Sequence, residues 1–294
     1  MHTLVLGAGF SGVRIARDAA EHGSASGTKR TAAGVDELKV AGLHGVIFDG
    51  HVGAQLQAEL AKTTHLVVSV APMRTAPFHD PVLTALGSFT HVQLPKLQWI
   101  GYLSTIGVYG DHGGQWVNES TVCSSTQTRS LMRREAELAW QAFGQSLEVP
   151  VAVLRLSGIY GPARNAVSDA IRGRARMLIK PGQVFNRIHV EDLSQATIKA
   201  ALASYDGVLN ISDDLPAAPQ DVIAFAHELA GKPAPPAQDF QFADISPMAR
   251  SFYSENKRVD NQLSKSALDF DYRYPNYKQG LRALWAEIQE TKGH

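Results

Sequence analysis

The stretch that decides the fold is residues 3–23, which read TLVLGAGFSGVRIARDAAEHG. Thr3–Leu6 is an apolar run that predicts a strand, and Val13–His22 repeats apolar residues at helical spacing until Gly23 ends the helix. Between them lie three glycines in the pattern G-x-G-x-x-G: Gly7, Gly9 and Gly12. The first permits a tight turn, the second lets the backbone approach a pyrophosphate, and the third lets the helix pack closely on the strand. The stretch therefore predicts a dinucleotide-binding turn whose phosphates meet the helix N-terminus.

The remainder of the first half alternates short apolar runs with longer helical patterns. Further strands are predicted at Ala25–Thr28, Val46–Phe48, Leu66–Val70, Trp99–Leu103 and Val151–Leu156, and a helix at Leu131–Phe143. This rhythm predicts an α/β fold with a Rossmann-type, doubly wound parallel sheet that has helices on both faces. We expect a dinucleotide-binding domain over residues 1–160, to which segments near 185–212 return. Residues 161–294 are expected to form mainly a smaller substrate-binding cap over the carboxyl ends of the strands.

The composition of the 294-residue chain is that of an ordinary globular protein, with 44% hydrophobic and 19% charged residues. Lysine plus arginine and aspartate plus glutamate both number 28, so no overall charge indicates nucleic acid or an anionic membrane as a partner. No apolar run has membrane-spanning length, and the first strand begins at Thr3, so we expect a cytoplasmic protein. The single cysteine, Cys123, cannot form an internal disulfide. The 11 histidines show no spacing typical of metal ligands, and no metal is expected.

The residues beyond the glycine turn favour NADP, with NAD as the alternative. An NAD site usually has an acidic residue about 20 positions further on, which binds the ribose 2′-hydroxyl. This chain instead has GTKRTAAG at residues 27–34. Arg30 is suited to a 2′-phosphate, which a guanidinium can bind in bidentate fashion, whereas Lys29 is interpreted as a charge that keeps the loop in water. Asp49, at the end of the run VIFD, either faces the adenine amino group or closes a plain turn.

Four further motifs accompany GAGFSG in a fixed order along the chain. They are LSTIGVYG at 103–110, RLSGIYGPARN at 155–165, RIHVEDL at 187–193 and VLNISDD at 208–214. Together these motifs resemble the extended short-chain dehydrogenases/reductases, the superfamily of the nucleotide-sugar epimerases and dehydratases. The chain is most similar to their atypical NAD(P)-dependent epimerase/dehydratase-like branch, whose substrates are poorly defined. The resemblance implies a Rossmann core and a C-terminal substrate domain that begins after about Gly161.

The resemblance also implies which residues meet the cofactor. Besides the three glycines, Arg30 and Asp49, they are Phe10, Ser11, Ser104, Arg133, Gly158 and Ile159. In such proteins the loop that follows Arg155 runs beside the nicotinamide. Family members commonly form homodimers through the helix that carries the catalytic tyrosine. The amphipathic segment Leu131–Phe143 fits such a dimer, and it equally fits an intramolecular core face.

The predicted catalytic helix departs from the family pattern. The usual Tyr-x-x-x-Lys works with a hydroxyl on the preceding strand, and Thr105 falls at that hydroxyl position. If Glu137 is aligned with the glutamate that follows the lysine by one turn, Arg129 occupies the tyrosine position and Arg133 the lysine position. An arginine, with a pKa of about 12 or higher, cannot shuttle a proton near neutral pH. The two arginines share a helical face and could hold a phosphate or an oxyanion, although a solvated helix face explains them equally well.

Another residue must then act as the proton donor if the chain is an enzyme. The candidates are Tyr109, Glu119, Tyr160 and His189. Tyr160 precedes a Gly-Pro turn beside the expected nicotinamide loop and is the first to test. His189 has an ordinary pKa of about 6.5, which suits the task, but a histidine in this motif is more often structural in the family.

These residues predict an NAD(P)-dependent oxidoreductase that reduces a carbonyl or acts on a sugar-like or nucleotide-sugar-like small molecule. Dehydration is disfavoured because no acidic pair follows Thr105, and epimerisation is weakened by the missing phenol. The alternative is a non-catalytic NADP(H)-binding sensor or scaffold. The basic residues at 172–180, which are Arg172, Arg174, Arg176 and Lys180, could meet an anionic substrate, but they predict more readily a basic amphipathic surface helix.

Overall fold

The glycine turn joins the first strand and the first helix of the structure, a computed structural model that describes residues 1–73 and 79–292. The strands are β1 His2–Leu6, β2 Ser24–Lys29, β3 His44–Ile47, β4 His65–Val68, β5 Trp99–Thr105, β6 Trp116–Val117, β7 Val151–Leu156, β8 Gly158–Tyr160, β9 Met177–Ile179, β10 Arg187–His189, β11 Gly207–Ile211, β12 Ala237–Asp239 and β13 Arg258–Val259. The helices are α1 Phe10–Ala20, α2 Ala32–Val40, α3 Ala54–Lys62, α4 Pro81–Leu86, α5 Thr128–Ser146, α6 Ala166–Ile171, α7 Val190–Leu202, α8 Pro219–Leu229, α9 Pro247–Phe252, α10 Gln262–Leu268 and α11 Tyr277–Lys292. Within the described ranges, no helix is long and apolar enough to cross a membrane.

The main sheet of this part of the chain has seven parallel strands in the order β3-β2-β1-β4-β5-β7-β11. Leu4 of β1 lies in register with Ser26 of β2 on one side and with Leu66 of β4 on the other. The strand order therefore reverses between β1 and β4. Such a switch point is where open α/β sheets bind ligands, outside the carboxyl ends of the strands. The predicted α/β, Rossmann-type doubly wound fold is confirmed.

Strand β2 forms although its sequence, SASGTK, lacks large apolar residues. It lies between β1 and β3, where Ser26 and Thr28 are almost completely buried. A Cβ atom on Gly27 would lie 2.7 Å from the Cβ of Ala8, so only a small residue fits under the glycine turn. Close packing and backbone pairing on both sides therefore decide this strand, and the prediction of Ala25–Thr28 is confirmed.

The chain divides into two compact units. The first comprises residues 1–108, 125–155 and 193–209, and the second comprises residues 109–124, 156–192 and 210–294. In the first unit, α5 contributes Trp140 and Phe143 to the core, and its side chains Leu131 and Leu138 are exposed. In the second unit, a smaller core includes Val167, Val222, Tyr277, Leu281 and Leu284.

The basic segment at 172–180 is not the predicted surface helix. Helix α6 ends at Ile171, because Gly173 adopts φ +66° and the N–H of Arg174 bonds back to the carbonyl of Asp169 at 2.9 Å. The following residues form β9, which pairs with β12. The glycine in the left-handed region therefore stops the helix before its basic face can form.

Candidate active site

The glycine turn has the geometry that a dinucleotide pyrophosphate requires. Gly7 adopts φ +91°, and its N–H donates to the Thr28 hydroxyl oxygen at 2.9 Å. A Cβ on Gly12 would lie 2.6 Å from the carbonyl oxygen of Gly7, so α1 can approach the turn only with glycine there. A Cβ on Gly9 would instead project into open space. Gly9 is also the N-cap of α1 and provides no side-chain cap, which leaves the amide groups of the first turn available to an anion.

The next two residues of the turn, Phe10 and Ser11, begin α1 and differ in exposure. The Phe10 ring is 38% exposed, and Ser11 is buried. Ser11 therefore presents mainly its backbone N–H at the helix N-terminus, where the positive end of the helix dipole lies.

The charged residues at the ends of β2 and β3 differ in the contacts they make. The Lys29 ammonium forms an ion pair with Glu37 at 2.9 Å, whereas the exposed Arg30 makes no hydrogen bond or ion pair with any residue of the described ranges. Asp49 is exposed and accepts the N–H of His51 at 3.1 Å, in a turn that lowers the pKa of its carboxyl group, mainly through this bond. The free guanidinium of Arg30 is thus the cation at the end of β2 that remains available to a ligand.

The hydroxyl groups of Ser104 and Thr105 form hydrogen bonds with different partners. Ser104 donates to the Glu137 carboxylate at 2.5 Å and is buried. Glu137, which is fully buried on α5, also receives Arg155 through two hydrogen bonds of 2.8 and 3.1 Å and Arg134 at 2.8 Å. Thr105 is half-buried, and its Oγ1 accepts the N–H of Gly107 at 3.1 Å. In this hydrogen bond the Thr105 oxygen is the acceptor, so the hydroxyl proton of Thr105 can still be donated to a ligand.

Helix α5 places Arg133 against the end of β5. Its Nη1 donates to the Leu103 carbonyl oxygen at 3.0 Å and to the Tyr102 hydroxyl at 3.2 Å. The guanidinium carbon also lies 5.6 Å from the centre of the Tyr102 ring. Arg129 precedes it by one turn and is half-buried. Arg133 is therefore a fixed positive charge, held by uncharged acceptors beside the strand that carries Thr105.

Ser130, which the sequence analysis passed over, lies next to this hydroxyl. A Cβ on Gly107 would be 3.0 Å from the Ser130 Oγ and 3.4 Å from the Thr105 Oγ1. Both oxygens therefore border the same small volume at the end of β5. The signal in the sequence is a serine three residues before Arg133 on the predicted helix, a spacing that puts both side chains on one face.

In the second unit, Gly158 and Ile159 belong to β8, which pairs with β10. Gly158 is exposed and donates its N–H to the Asn186 carbonyl at 3.0 Å, and Ile159 is half-buried. The two earlier candidates Tyr109 and Glu119 both bond to Asn210. The Tyr109 hydroxyl donates to its side-chain oxygen at 2.7 Å, and Glu119 accepts its N–H at 2.7 Å.

The remaining candidates for the proton donor, Tyr160 and His189, lie together in the core of the second unit. Their rings meet edge to face at 5.1 Å. The Tyr160 hydroxyl is buried and has no hydrogen-bond partner in the described part of the chain. A Cβ on Gly280 would lie 2.0 Å from it. Burial first, and then the negative charge of Asp213, raise the pKa of Tyr160. Nδ1 of the buried His189 accepts the N–H of Glu191 at 3.3 Å.

Arg187 is a further functional candidate that the sequence analysis quoted only as part of RIHVEDL. Its Nη1 donates to the carbonyl oxygens of Phe185 and Ala217 at 2.9 and 3.2 Å. Burial lowers the pKa of Arg187, and burial also raises the pKa of the nearby Asp213 well above its usual range. The available signal was the arginine that begins RIHVEDL, directly before the apolar Ile188, since taking a charge out of water is costly unless it has a partner or a use.

Comparison with known proteins identifies a relative with substantial sequence identity. The chain is 43% identical to a functionally unknown conserved protein from Silicibacter pomeroyi DSS, with a TM-score of 0.88 over 98% of this chain and 99% of that one. No protein-family model and no curated protein matches.

Two solved structures with lower identity have the same fold. UDP-glucuronic acid 4-epimerase from Bacillus cereus in complex with NAD is 17% identical, with a TM-score of 0.77 over 100% of this chain and 99% of that one. dTDP-glucose 4,6-dehydratase from Bacillus anthracis str. Ames in complex with NAD is 18% identical, with a TM-score of 0.78 over 100% and 98%. The chain therefore belongs to the family of the conserved Silicibacter pomeroyi protein, and its fold is that of the extended short-chain dehydrogenase/reductase superfamily.

Proposed function

We propose that the protein is an NADP(H)-dependent oxidoreductase that reduces a carbonyl group of a sugar-like small molecule. The observation that carries the proposal is the open, uncapped glycine turn, in which Gly9 leaves room where a pyrophosphate would approach. A bound nicotinamide dinucleotide supplies the hydride in such a reaction. The two Bacillus proteins of the same fold, both solved with NAD, favour this class of cofactor.

The preference for NADP over NAD follows from Arg30. Its guanidinium is exposed just beyond β2, and the neighbouring Lys29 is already neutralised by Glu37. A guanidinium can bind two oxygens of a 2′-phosphate at once, which a ribose hydroxyl cannot match. Arg30→Gln should therefore weaken NADPH binding at least tenfold and leave NADH binding unchanged, as measured by fluorescence titration.

The residues at the end of β5 supply the polar groups for carbonyl reduction. The Thr105 hydroxyl, whose oxygen accepts the Gly107 N–H, donates a hydrogen bond to the substrate carbonyl oxygen and orients it, but keeps its proton. Arg133, held by the Leu103 carbonyl, provides a fixed positive charge that stabilises the developing alkoxide. Arg133 stays protonated, so water delivers the proton that completes the alcohol. This assignment needs no proton from the enclosed hydroxyl of Tyr160.

The experiment that tests the proposal uses NADPH deuterated at nicotinamide C4. The protein is incubated with each C4 isotopomer and a metabolite extract, and deuterated products are sought by mass spectrometry. We expect a deuterated alcohol from one isotopomer. Thr105→Val is the variant that tests the role of the hydroxyl, because it retains the size of the side chain and removes only that group. It should bind NADPH as the parent does and form product at least a hundredfold more slowly.

A second candidate function is an NADP(H)-binding sensor without turnover. It is favoured by helix α5, which carries Arg129 and Arg133 where the family pattern has tyrosine and lysine. Tight NADPH binding with no deuterated product from either isotopomer would replace the first proposal with this one. Failure of NADPH to bind would refute both.

A further inference from the structure

A second hydroxyl group lies beside the end of β5 and has no role in the reaction described above. Ser130 is the third residue of α5, and its side chain is buried, with an exposure of only 2%. Among the residues that the structure describes, none forms a hydrogen bond with the Ser130 hydroxyl. A buried hydroxyl in this state has lost its bonds to water and has gained none from the protein. A polar group that arrived beside Ser130 would therefore be stabilised by it.

The position of Ser130 relative to Thr105 is defined by Gly107. A Cβ atom on Gly107 would lie 3.0 Å from the Ser130 Oγ and 3.4 Å from the Thr105 Oγ1, so both oxygens flank the same side of the glycine. The Gly107 N–H donates to the Thr105 Oγ1 at 3.1 Å, which leaves the proton of that hydroxyl for another acceptor. Ser130 and Thr105 are thus two hydroxyl donors, one from a helix and one from a strand, that border one space.

Arg133 adds a fixed positive charge from the same face of α5. It follows Ser130 by three residues, a spacing that puts two side chains next to each other on a helix. Its guanidinium is held by uncharged acceptors, the Leu103 carbonyl oxygen at 3.0 Å and the Tyr102 hydroxyl at 3.2 Å. Two neutral hydroxyl donors and one cation suit an oxygen that gains negative charge, as the oxygen of a carbonyl group does during its reduction.

We propose that Ser130 is a catalytic residue whose hydroxyl donates a second hydrogen bond to the substrate carbonyl oxygen, the same oxygen that Thr105 orients. Ser130 keeps its proton, and water delivers the one that completes the alcohol. The inference rests on the proposed function, because the bound oxygen is assigned to the molecule that is reduced. It extends that function by adding a second hydroxyl donor to a helix that has Arg129 where the family pattern has a phenol.

Ser194 provides a matched control for the loss of a buried hydroxyl. It lies on α7 in the same unit and is fully buried. Its hydroxyl likewise has no hydrogen-bond partner in the described part of the chain. Ser194→Ala therefore removes the same group from a similar environment on a helix. Alanine is a better helix former than serine, so both Ser130→Ala and Ser194→Ala should retain their helices.

The test compares initial rates of deuterium transfer from C4-deuterated NADPH to the metabolite extract. Ser130→Ala should lower the rate at saturating extract at least tenfold, because the lost hydrogen bond strengthens as the carbonyl oxygen becomes negative. Serial dilution of the extract gives the concentration for half-maximal rate, which should change less than threefold. The Kd of NADPH, measured by fluorescence titration, should change less than twofold. Ser194→Ala should leave all three quantities within twofold of those of the parent protein.

Gly107→Ala tests the geometry by a second route. Gly107 does not adopt a left-handed φ, so its backbone conformation tolerates alanine. The new Cβ would press on the Ser130 Oγ from 3.0 Å and would displace that hydroxyl. We expect this substitution to lower the rate of deuterium transfer at least tenfold in the parent protein. In the Ser130→Ala protein, where the displaced hydroxyl is already absent, the further loss should be less than threefold.

Two results would overturn the inference while the proposed function stands. One is a Ser130→Ala protein that transfers deuterium as fast as the parent protein, or whose loss of rate is matched by Ser194→Ala. The other is an equal effect of Gly107→Ala in the parent and in Ser130→Ala, which would mean that the two positions act independently. Absence of deuterated product from the parent protein would instead refute the proposed function, and the role of Ser130 with it. The two failures are thus distinguishable.

Discussion

Replacing Glu137 by glutamine should destabilise the first unit more than any other single isosteric change on α5. The carboxylate is fully buried and receives hydrogen bonds from Ser104, Arg134 and Arg155, two of them from Arg155. Arg155 is only 2% exposed, so its charge would face a neutral amide with no access to bulk water. Breaking a buried ion pair on one side costs about 3–5 kcal/mol, and we expect a loss in the free energy of unfolding within that range.

Arg134 provides the matched control for this prediction. It bonds to the same carboxylate at 2.8 Å, but its side chain is 36% exposed. Water compensates an exposed charge, so Arg134→Gln should cost about 1 kcal/mol or less. The double variant Glu137→Gln, Arg155→Met should recover part of the loss, because it removes the stranded charge along with its partner.

Urea denaturation followed by tryptophan fluorescence measures both effects. Trp140 is fully buried on α5 and packs edge to face on Phe143 at 5.6 Å, so it reports on the region of the substitution. The reasoning is refuted if Glu137→Gln and Arg134→Gln shift the free energy of unfolding by the same amount. It is also refuted if the double variant is less stable than Glu137→Gln alone.

Three further predictions concern the turn, a buried carboxyl group and the enclosed phenol. Gly9→Ala, whose Cβ meets open space, should leave the melting temperature unchanged but weaken NADPH binding at least tenfold. Gly12→Ala, whose Cβ would meet the Gly7 carbonyl, should lower the melting temperature and also weaken NADPH binding. Equal melting temperatures for the two variants would contradict this. Burial raises the pKa of Asp192 to about 6 against opposing N–H bonds, so the folded state binds more protons between about pH 4 and 6. The contribution of Asp192 to the free energy of unfolding is therefore full below pH 4 and falls by about 3 kcal/mol as the pH rises through 6. An NMR titration midpoint near pH 4 for this carboxyl group would disprove the prediction. Tyr160→Phe removes a buried hydroxyl that has no hydrogen-bond partner in the described part of the chain. The variant should retain turnover, and its free energy of unfolding should rise by about 1 kcal/mol. A loss of turnover, or a lower stability in denaturation, would show that the hydroxyl is used.

The features that the sequence predicted are those encoded by local spacing. The glycine turn and helix α5 each depend on neighbours within a few residues or on one repeated period, whereas strand β2 depends on its pairing with β1 and β3. Lys29, expected to be a loop charge in water, instead ends β2 and pairs with Glu37, eight residues away. Helix α5 is six residues longer than the predicted Leu131–Phe143, because polar residues at its ends carry no apolar period.

The features that the sequence missed depend on partners far away in the chain. Arg187 donates to the carbonyl oxygen of Ala217, 30 residues later, a contact that no local pattern predicts. The error at 172–180 has a local cause, since the period of the basic residues was read through Gly173, which ends the helix. The role of Ser104 was likewise fixed by Glu137, 33 residues away on another element.

Strand β2 has a consequence for protein engineering. Thr28 accepts the N–H of Gly7 through its hydroxyl and the N–H of Ala8 through its carbonyl, so it holds the turn from the neighbouring strand. Arg30 follows only two residues later, outside these bonds. On the proposed role of Arg30, a redesign that exchanges one nicotinamide cofactor for the other begins at Arg30 and leaves Thr28 untouched, because Thr28 holds the glycine turn from the end of the same strand.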